Sequence, residues 1–259
     1  MFALERIRII KNYLIENKQA EVNQLSQMLS VSEVTIRRDL EKLEKEEFLT
    51  RTHGGAMLNT SDNISISENP ASSQEYDEIS NIAIQMIMDD DIIMLTNGEL
   101  NLMIAKKLSA KNRVTVLTND IRIASQILED QSAKVVLLGG NLDYHTNAVF
   151  GTLTIDNLKK FFVNRLFIEV DGISAKLDLT VSSIDMASLI QEAVNNANER
   201  IIICSAAAFD KMSFYRVGKA SELCDKIVTY HKISEQNKNN IFNANIQLFT
   251  SINLFEGKV

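Results

Sequence analysis

Apolar residues in this chain change their spacing abruptly around residues 59–73, and no single layer of secondary structure accommodates both patterns. Before that stretch they recur at helical intervals: Ile7, Ile10 and Leu14 after Leu4, then Val22, Leu25 and Leu29, then Ile36, Leu40 and Leu43. This spacing predicts three short helices, followed by a strand over 48–51 and a turn. After it, short β-branched runs alternate with helical stretches. Strands are predicted over 92–96, 114–118, 135–138, 166–170, 201–204, 227–229 and 246–249. Helices are predicted over 100–108, 121–128, 155–161, 185–197, around 223, and over 235–244. Strands without a polar face, each followed by a helix, must be buried on both sides, which means a mostly parallel sheet covered by helices. The stretch between, NTSDNISISENPASS, holds five Ser, three Asn and the only Pro of the chain, and reads as a linker. The expected organisation is an all-α domain with a small β-wing over 1–57, a linker over 58–73 and an α/β domain over 74–259.

Several function classes fall away at once. At 45 % hydrophobic and 24 % charged residues, with no low-complexity tract or fixed repeat, the chain is neither disordered nor fibrous. Its longest apolar runs are strand-sized, against the roughly 20 residues of a bilayer span. The start, MFALERIRIIKNYL, carries charges at Glu5, Arg6, Arg8 and Lys11 and so lacks the apolar stretch of a signal peptide. A cytoplasmic location with no membrane partner is expected. Cys204 and Cys224 do not have metal-ligand spacing, and His53, His145 and His231 lie far apart, so neither a disulfide framework nor a metal or other cofactor is expected.

The net charge of −7 is unevenly divided. Residues 1–57 hold nine Lys/Arg and nine Asp/Glu, leaving eighteen basic against twenty-five acidic residues beyond them. An acidic body attached to a neutral unit with clustered Arg is compatible with binding DNA through one face. The segment 22–45 supplies that face. Residues 22–29 form one helix, Ser30-Val31-Ser32 a tight turn with Ser32 as N-cap, and 33–45 the next helix. At 100° per residue Ile36, Leu40 and Leu43 form the buried stripe, Val34, Arg38, Glu41 and Lys45 point away, and Thr35 and Arg37 lie on the flanks. The first turns of such a helix enter the major groove, where Arg bonds guanine and the methyls of Thr or Val touch thymine. Taken alone, Arg37 and Arg38 fit a solvated face paired with Glu33, Glu41 or Glu44. The turn, the cap, the three-helix spacing and the following strand decide for DNA. Beyond the helix, Gly54 and Gly55 permit a positive-φ hairpin, a wing from which Arg51 and His53 reach phosphate or the minor groove.

SVSEVTIRRDLEKLEKEEFLTRTHGGA resembles the DNA-binding signature of DeoR-type bacterial regulators, with its serine-rich turn, T-x-R-R-D-L helix and R-x-H-G-G-A wing. The resemblance implies a winged helix-turn-helix that holds operator DNA through Ser32, Val34, Thr35, Arg37, Arg38, Lys42, Arg51, His53, Gly54 and Gly55. It further implies a symmetric oligomer, a dimer or higher, and a Rossmann-like sensor of the ribose-5-phosphate-isomerase type. The implied function is a regulator, expected to repress carbohydrate-metabolism genes, controlled by a small metabolite.

In an open parallel sheet ligands bind at the carboxyl ends of strands. The candidate effector residues are therefore Thr96, Asn97, Gly98 and Glu99, then Thr118 and Asn119, Gly139 and Gly140, Asn147 and Gly151, Asp171 and Gly172, and Ser205. Beside the family pattern the loops are altered. The D-x-G-[ST]-[ST] segment is Thr96-Asn97-Gly98-Glu99-Leu100, an E-x-x-x-K pair is Met186 and Ile190, and D-x-S-K-F-G is Ser205 to Asp210 with Ala208 at its lysine. A glycine is Glu169, and an Asp near the last strand is Tyr230. Phosphorylated sugars are therefore expected to bind poorly, a neutral or cationic polar ligand better, unless Lys176 or Lys211 restores a cation. The alternative is a degenerate sensor kept for oligomerisation or protein contact. With both lysines absent, no enzyme and no catalytic residue is expected.

Overall fold

The computed structural model describes residues 3–17, 19–45, 48–52, 54–58 and 70–251. The chain divides into two compact units, Met1–Asn69 and Pro70–Val259.

In the first unit, helices α1 (Ala3–Asn17), α2 (Val22–Leu29) and α3 (Glu33–Lys45) pack with a small antiparallel sheet of β1 (Gln19–Glu21), β2 (Leu49–Thr52) and β3 (Gly55–Leu58), in the order β1-β3-β2. Ile10, Leu14, Leu25, Ile36, Leu40, Leu43 and Leu49 are fully buried, so the three apolar stripes meet in one core. Ser30 takes a left-handed conformation that ends α2, and the Ser32 carbonyl accepts from the amides of Thr35 and Ile36 to begin α3. An ion pair is buried in this unit: Arg6 on α1 meets Asp39 on α3, with Nη2 3.2 Å from Oδ1 and Nε on the other oxygen. Strand β1 is an addition to the predicted set. Its three residues alternate exposed, buried, exposed around Ala20, too short a pattern to read without its partner.

The second unit begins with α4 (Pro70–Met86), a helix that the sequence pattern did not single out. Its Pro stands at the first helical position, where no amide is needed. Residues 59–69 of the expected linker lie outside the described residues, and 70–73 belong to this helix. A seven-stranded parallel sheet follows, built from β4 (Ile92–Leu95), β5 (Thr115–Thr118), β6 (Lys134–Leu137), β9 (Val163–Glu169), β12 (Ala197–Ile203), β14 (Lys226–Thr229) and β15 (Gln247–Thr250). Its order is β15-β14-β12-β9-β4-β5-β6. The crossovers contain α5 (Glu99–Ala105), α6 (Ile121–Asp130), α7 (Thr152–Leu158), α8 (Ile184–Ala193), α9 (Ala220–Leu223) and α10 (Glu235–Asn243). Successive residues of one strand feed two cores: Leu166, Ile168 and Ile202 face one side, Phe167, Ile201 and Ile203 the other. That is why these strands read as unbroken apolar runs.

Differences from the sequence reading have local causes. Strand β12 starts four residues before its predicted beginning because Glu199 and Arg200 are held by ion pairs, Arg165 to Glu199 at 3.1 Å and Arg200 to Asp225 at 2.7 Å. Helix α8 stops at Ala193 to allow this, and α7 starts early, at Thr152, after Gly151 in a positive-φ turn. A hairpin of β7 (Asn141–Asp143) and β8 (Ala148–Phe150), and a second antiparallel sheet of β10 (Gly172–Ile173), β11 (Asp178–Val181) and β13 (Tyr215–Lys219), are built from strands of two to five residues. They pair outside the parallel sheet, and the sequence pattern did not single them out.

Candidate functional site: recognition helix and strand-end cavity

The surface of α3 opposite its buried stripe carries Val34, 60 % exposed, together with exposed Arg37, Arg38 and Lys42. Thr35 is half-buried at the flank, its hydroxyl 2.9 Å from that of Ser32, which stiffens the first turn. Arg37 pairs with Glu33 one turn back at 3.0 Å, a solvated pair of the kind worth a few tenths of a kcal/mol. Arg38 has no ion-pair partner among the described residues. The wing is β2, a turn and β3, with Arg51 on the outer strand. Its guanidinium rests 3.1 Å from Glu41 of α3, and its amide donates to Glu44 at 3.1 Å, so the wing is clamped to α3. Among the two glycines only Gly54 has a positive φ, +101°, and it is exposed. Gly55 corrects the sequence expectation. It is buried, and a Cβ there would lie 2.4 Å from the Ala20 carbonyl oxygen, so the residue serves the approach of β1 rather than the wing tip. His53 lies outside the described residues.

In the second unit the strand order reverses between β4 and β9, and crevices in open α/β sheets form at such a switch point. A cavity of about 370 Å³ opens there, at the carboxyl ends of β9 and β12. Its polar lining includes Tyr76, Glu169, Asp171, Ser182, Ser205, Lys211 and Ser213. The carboxylate of Glu169 reaches across the switch point, accepting from the backbone amides of Leu100 at 2.9 Å and Asn101 at 3.3 Å, the opening residues of α5. Burial pushes its pKa up to about 8, against the pull of those amides, with the charges of Glu99 and Asp171 adding to the rise. Tyr76, half-buried, is pushed up to about 12 by that burial and by the charges of Glu169, Glu75 and Glu99. Asp171 accepts from the Ser182 amide at 2.5 Å.

Comparison with known proteins places both units. Residues 6–62 match the DeoR-like helix-turn-helix domain, and residues 71–230 match the DeoR C terminal sensor domain. The chain belongs to the DeoR family. It is similar to the HTH-type transcriptional repressor GlcR of Bacillus subtilis, 28 % identical over 232 residues that cover 88 % of this chain and 89 % of that protein. A lactose phosphotransferase system repressor of Lactococcus lactis is 29 % identical over 222 residues, covering 83 % and 86 %. Among solved structures, ribose 5-phosphate isomerase A of Methanocaldococcus jannaschii aligns with a TM-score of 0.38 at 13 % identity, over 52 % of this chain and 53 % of that one.

Within this DeoR sensor the predicted residues divide by role. Asp171 and Ser205 line the cavity. Thr96 is buried, its hydroxyl accepting from the Glu169 amide at 3.2 Å and from Asn101 Nδ2 at 3.1 Å, so it ties β4 to β9. Asn97 and Asn119 bond each other reciprocally, amide to Oδ1 at 3.0 Å and Nδ2 to Oδ1 at 3.1 Å, joining the loops after β4 and β5. Thr118 is buried and accepts from the Asp120 amide. Gly140 makes room for Thr154, whose hydroxyl donates to the Gly139 carbonyl at 2.9 Å. The Asn147 carbonyl accepts from the first amide of α6, and Gly151 precedes α7. Gly172 lies against Thr180 and the Lys211 carbonyl. These positions hold loops to one another and do not line the cavity described above.

Glu99 also departs from its expected role. It pairs with Arg122, which bonds Asp120 at 2.9 Å as well, so the carboxylate standing on the α5 amides is Glu169 rather than Glu99. Of the two lysines that might restore a cation, Lys211 lines the cavity and Lys176 does not. Met186 and Ile190 are buried in the core. Tyr76, Ser182 and Ser213 escaped the sequence reading because tertiary packing alone brings them to the cavity, Tyr76 on α4 packed against α5, β14 and β15, and the two serines on loops flanking β11 and β13 of the second sheet. Among the described residues no group of His, Cys, Asp or Glu is placed to hold a metal ion, and no helix is long and apolar enough to cross a membrane.

Proposed function

We propose that this protein is a transcriptional repressor of carbohydrate-metabolism genes that binds operator DNA through α3 and its wing and answers to a small effector in the strand-end cavity. The observation that carries the reading is the exposed face of α3. Val34, Arg37, Arg38 and Lys42 stand free of the core on a helix whose opposite face is fully buried, on a chain whose relatives are named repressors. Arg38 and Val34 take the base-reading positions, Arg37 and Lys42 the phosphate, with Ser32, Thr35, Arg51 and Gly54 at its edges, and His53 adds a phosphate contact on the family pattern of the wing. A single helix-turn-helix buries too little surface for tight operator binding, so the working form is a homo-oligomer reading half-sites about 34–36 Å apart. The same reading makes the protein cytoplasmic and non-catalytic. Cysteines 204 and 224 are buried with pKa values pushed up to about 12, which suits packing rather than chemistry.

Genome-wide footprinting followed by gel shift on the sites found tests the reading. Protected, repeated half-sites upstream of sugar-utilisation genes are the expected outcome. Sequence-independent binding alone, or a monomer in sedimentation both free and with DNA, would overturn it.

A further inference from the structure

We propose that Glu169 is the specificity-determining residue of the sensor: its carboxylate occupies the backbone amides that open α5, so the cavity admits small polar ligands without a phosphate group and excludes phosphate esters. This rests on the cavity being the effector site, as proposed above.

Four observations converge on that role. The carboxylate already takes the amides of Leu100 and Asn101, and a phosphate group could bond them only by displacing it. The displaced side chain has little room on the loop side, because Gly98 is so close that a Cβ there would meet Glu169 Oε2 at 2.1 Å. The nearby cation, Arg122, is committed to Glu99 and Asp120. Within the cavity Lys211 is accompanied by Asp171, so an incoming dianion finds no net positive charge even where Glu169 holds a proton. Charge-assisted bonds supply most of the orientation of a bound phosphate, and here both their donors and their counter-ions are taken. The rise of the Glu169 pKa to about 8 agrees: negative charge is already disfavoured at this spot. What remains to a ligand is the hydroxyls of Ser182, Ser205 and Ser213 and the Asp171 carboxylate, groups that suit the hydroxyls or the amine of a small polar molecule.

The test is calorimetric titration of the full-length chain with glucose 6-phosphate and with inorganic phosphate, using wild type, Glu169→Gly and Glu169→Ala. Two variants are used so that a folding failure in one, seen as loss of cooperative thermal unfolding, leaves the other. The expected result is no saturable binding by wild type up to about 10 mM and at least a tenfold gain in either folded variant, about 1.4 kcal/mol. Wild-type binding with a dissociation constant below about 100 μM, or a folded variant that gains nothing, would overturn the proposal. Operator binding is measured separately on wild type without ligand: its failure would remove the regulator reading, whereas a phosphate-binding wild type would remove only the assignment to Glu169.

Discussion

Gly98 and Glu169 face each other across the switch point so closely that a Cβ on the first would lie 2.1 Å from Oε2 of the second. Gly98 also holds a φ of +147°, a conformation that side chains resist. Gly98→Ala therefore combines backbone strain of about 1–3 kcal/mol with a clash. In a Glu169→Gly background the clash is gone and the strain remains. Urea unfolding of the two single variants and the double variant should show a coupling of about 1 kcal/mol. Additive effects would mean that the two residues do not constrain each other.

The raised Glu169 pKa makes stability depend on pH. The carboxyl faces Glu99, Asp171, Tyr76 and Lys211 as well as two amides, and burial is the largest cause of its rise to about 8 from an ordinary 4.5. Below pH about 4.5 it is protonated in both folded and unfolded chains and has no effect. Between about 4.5 and 8 the folded chain keeps a proton that the unfolded chain releases, so stability falls as pH rises. Glu169→Gln removes this slope. The melting temperature of the variant should match wild type near pH 4.5 and exceed it increasingly towards pH 8; parallel curves would contradict the assignment.

The Arg6–Asp39 pair fixes α3 against α1 from inside the core. Removing one partner leaves a buried charge, so Asp39→Asn should destabilise the first unit by about 3–5 kcal/mol. Replacing both, as Arg6→Met with Asp39→Leu, should recover most of that loss. Denaturation followed by circular dichroism, with gel shift at a temperature where the variants are folded, separates lost stability from a misplaced helix.

Arg37 and Arg38 are adjacent but differently engaged, one paired with Glu33 and the other without an ion-pair partner among the described residues. Arg38→Ala should weaken specific operator binding by about 1–3 kcal/mol and relax preference at one base. Arg37→Ala should weaken binding to all sequences and lower the salt slope by about one. Unchanged gel-shift affinity in both would remove α3 as the reading helix.

Periodicity made the three helices of the first unit legible. Ile36, Leu40 and Leu43 recur at helical spacing and all three are fully buried, because one amphipathic helix buries whatever its sequence places on one stripe. The seven sheet strands were legible for a related reason: residues such as Leu166 to Ile168 must be apolar on both faces when helices cover both sides of a sheet. The strand pattern also pointed to the carboxyl ends of the strands, where the cavity lies. It did not determine which side chains face the cavity. Glu169 stood out only as an unusual residue, and its bonds to Leu100 and Asn101 join positions nearly seventy apart in sequence. Likewise the pairing of Glu99 with Arg122, the structural use of Asn97 with Asn119, and the approach of Gly55 to Ala20 depend on which strands become neighbours. Period and composition report what a residue does for its own helix or strand; contacts across a parallel sheet are set by strand order, and that is decided only when the whole chain packs.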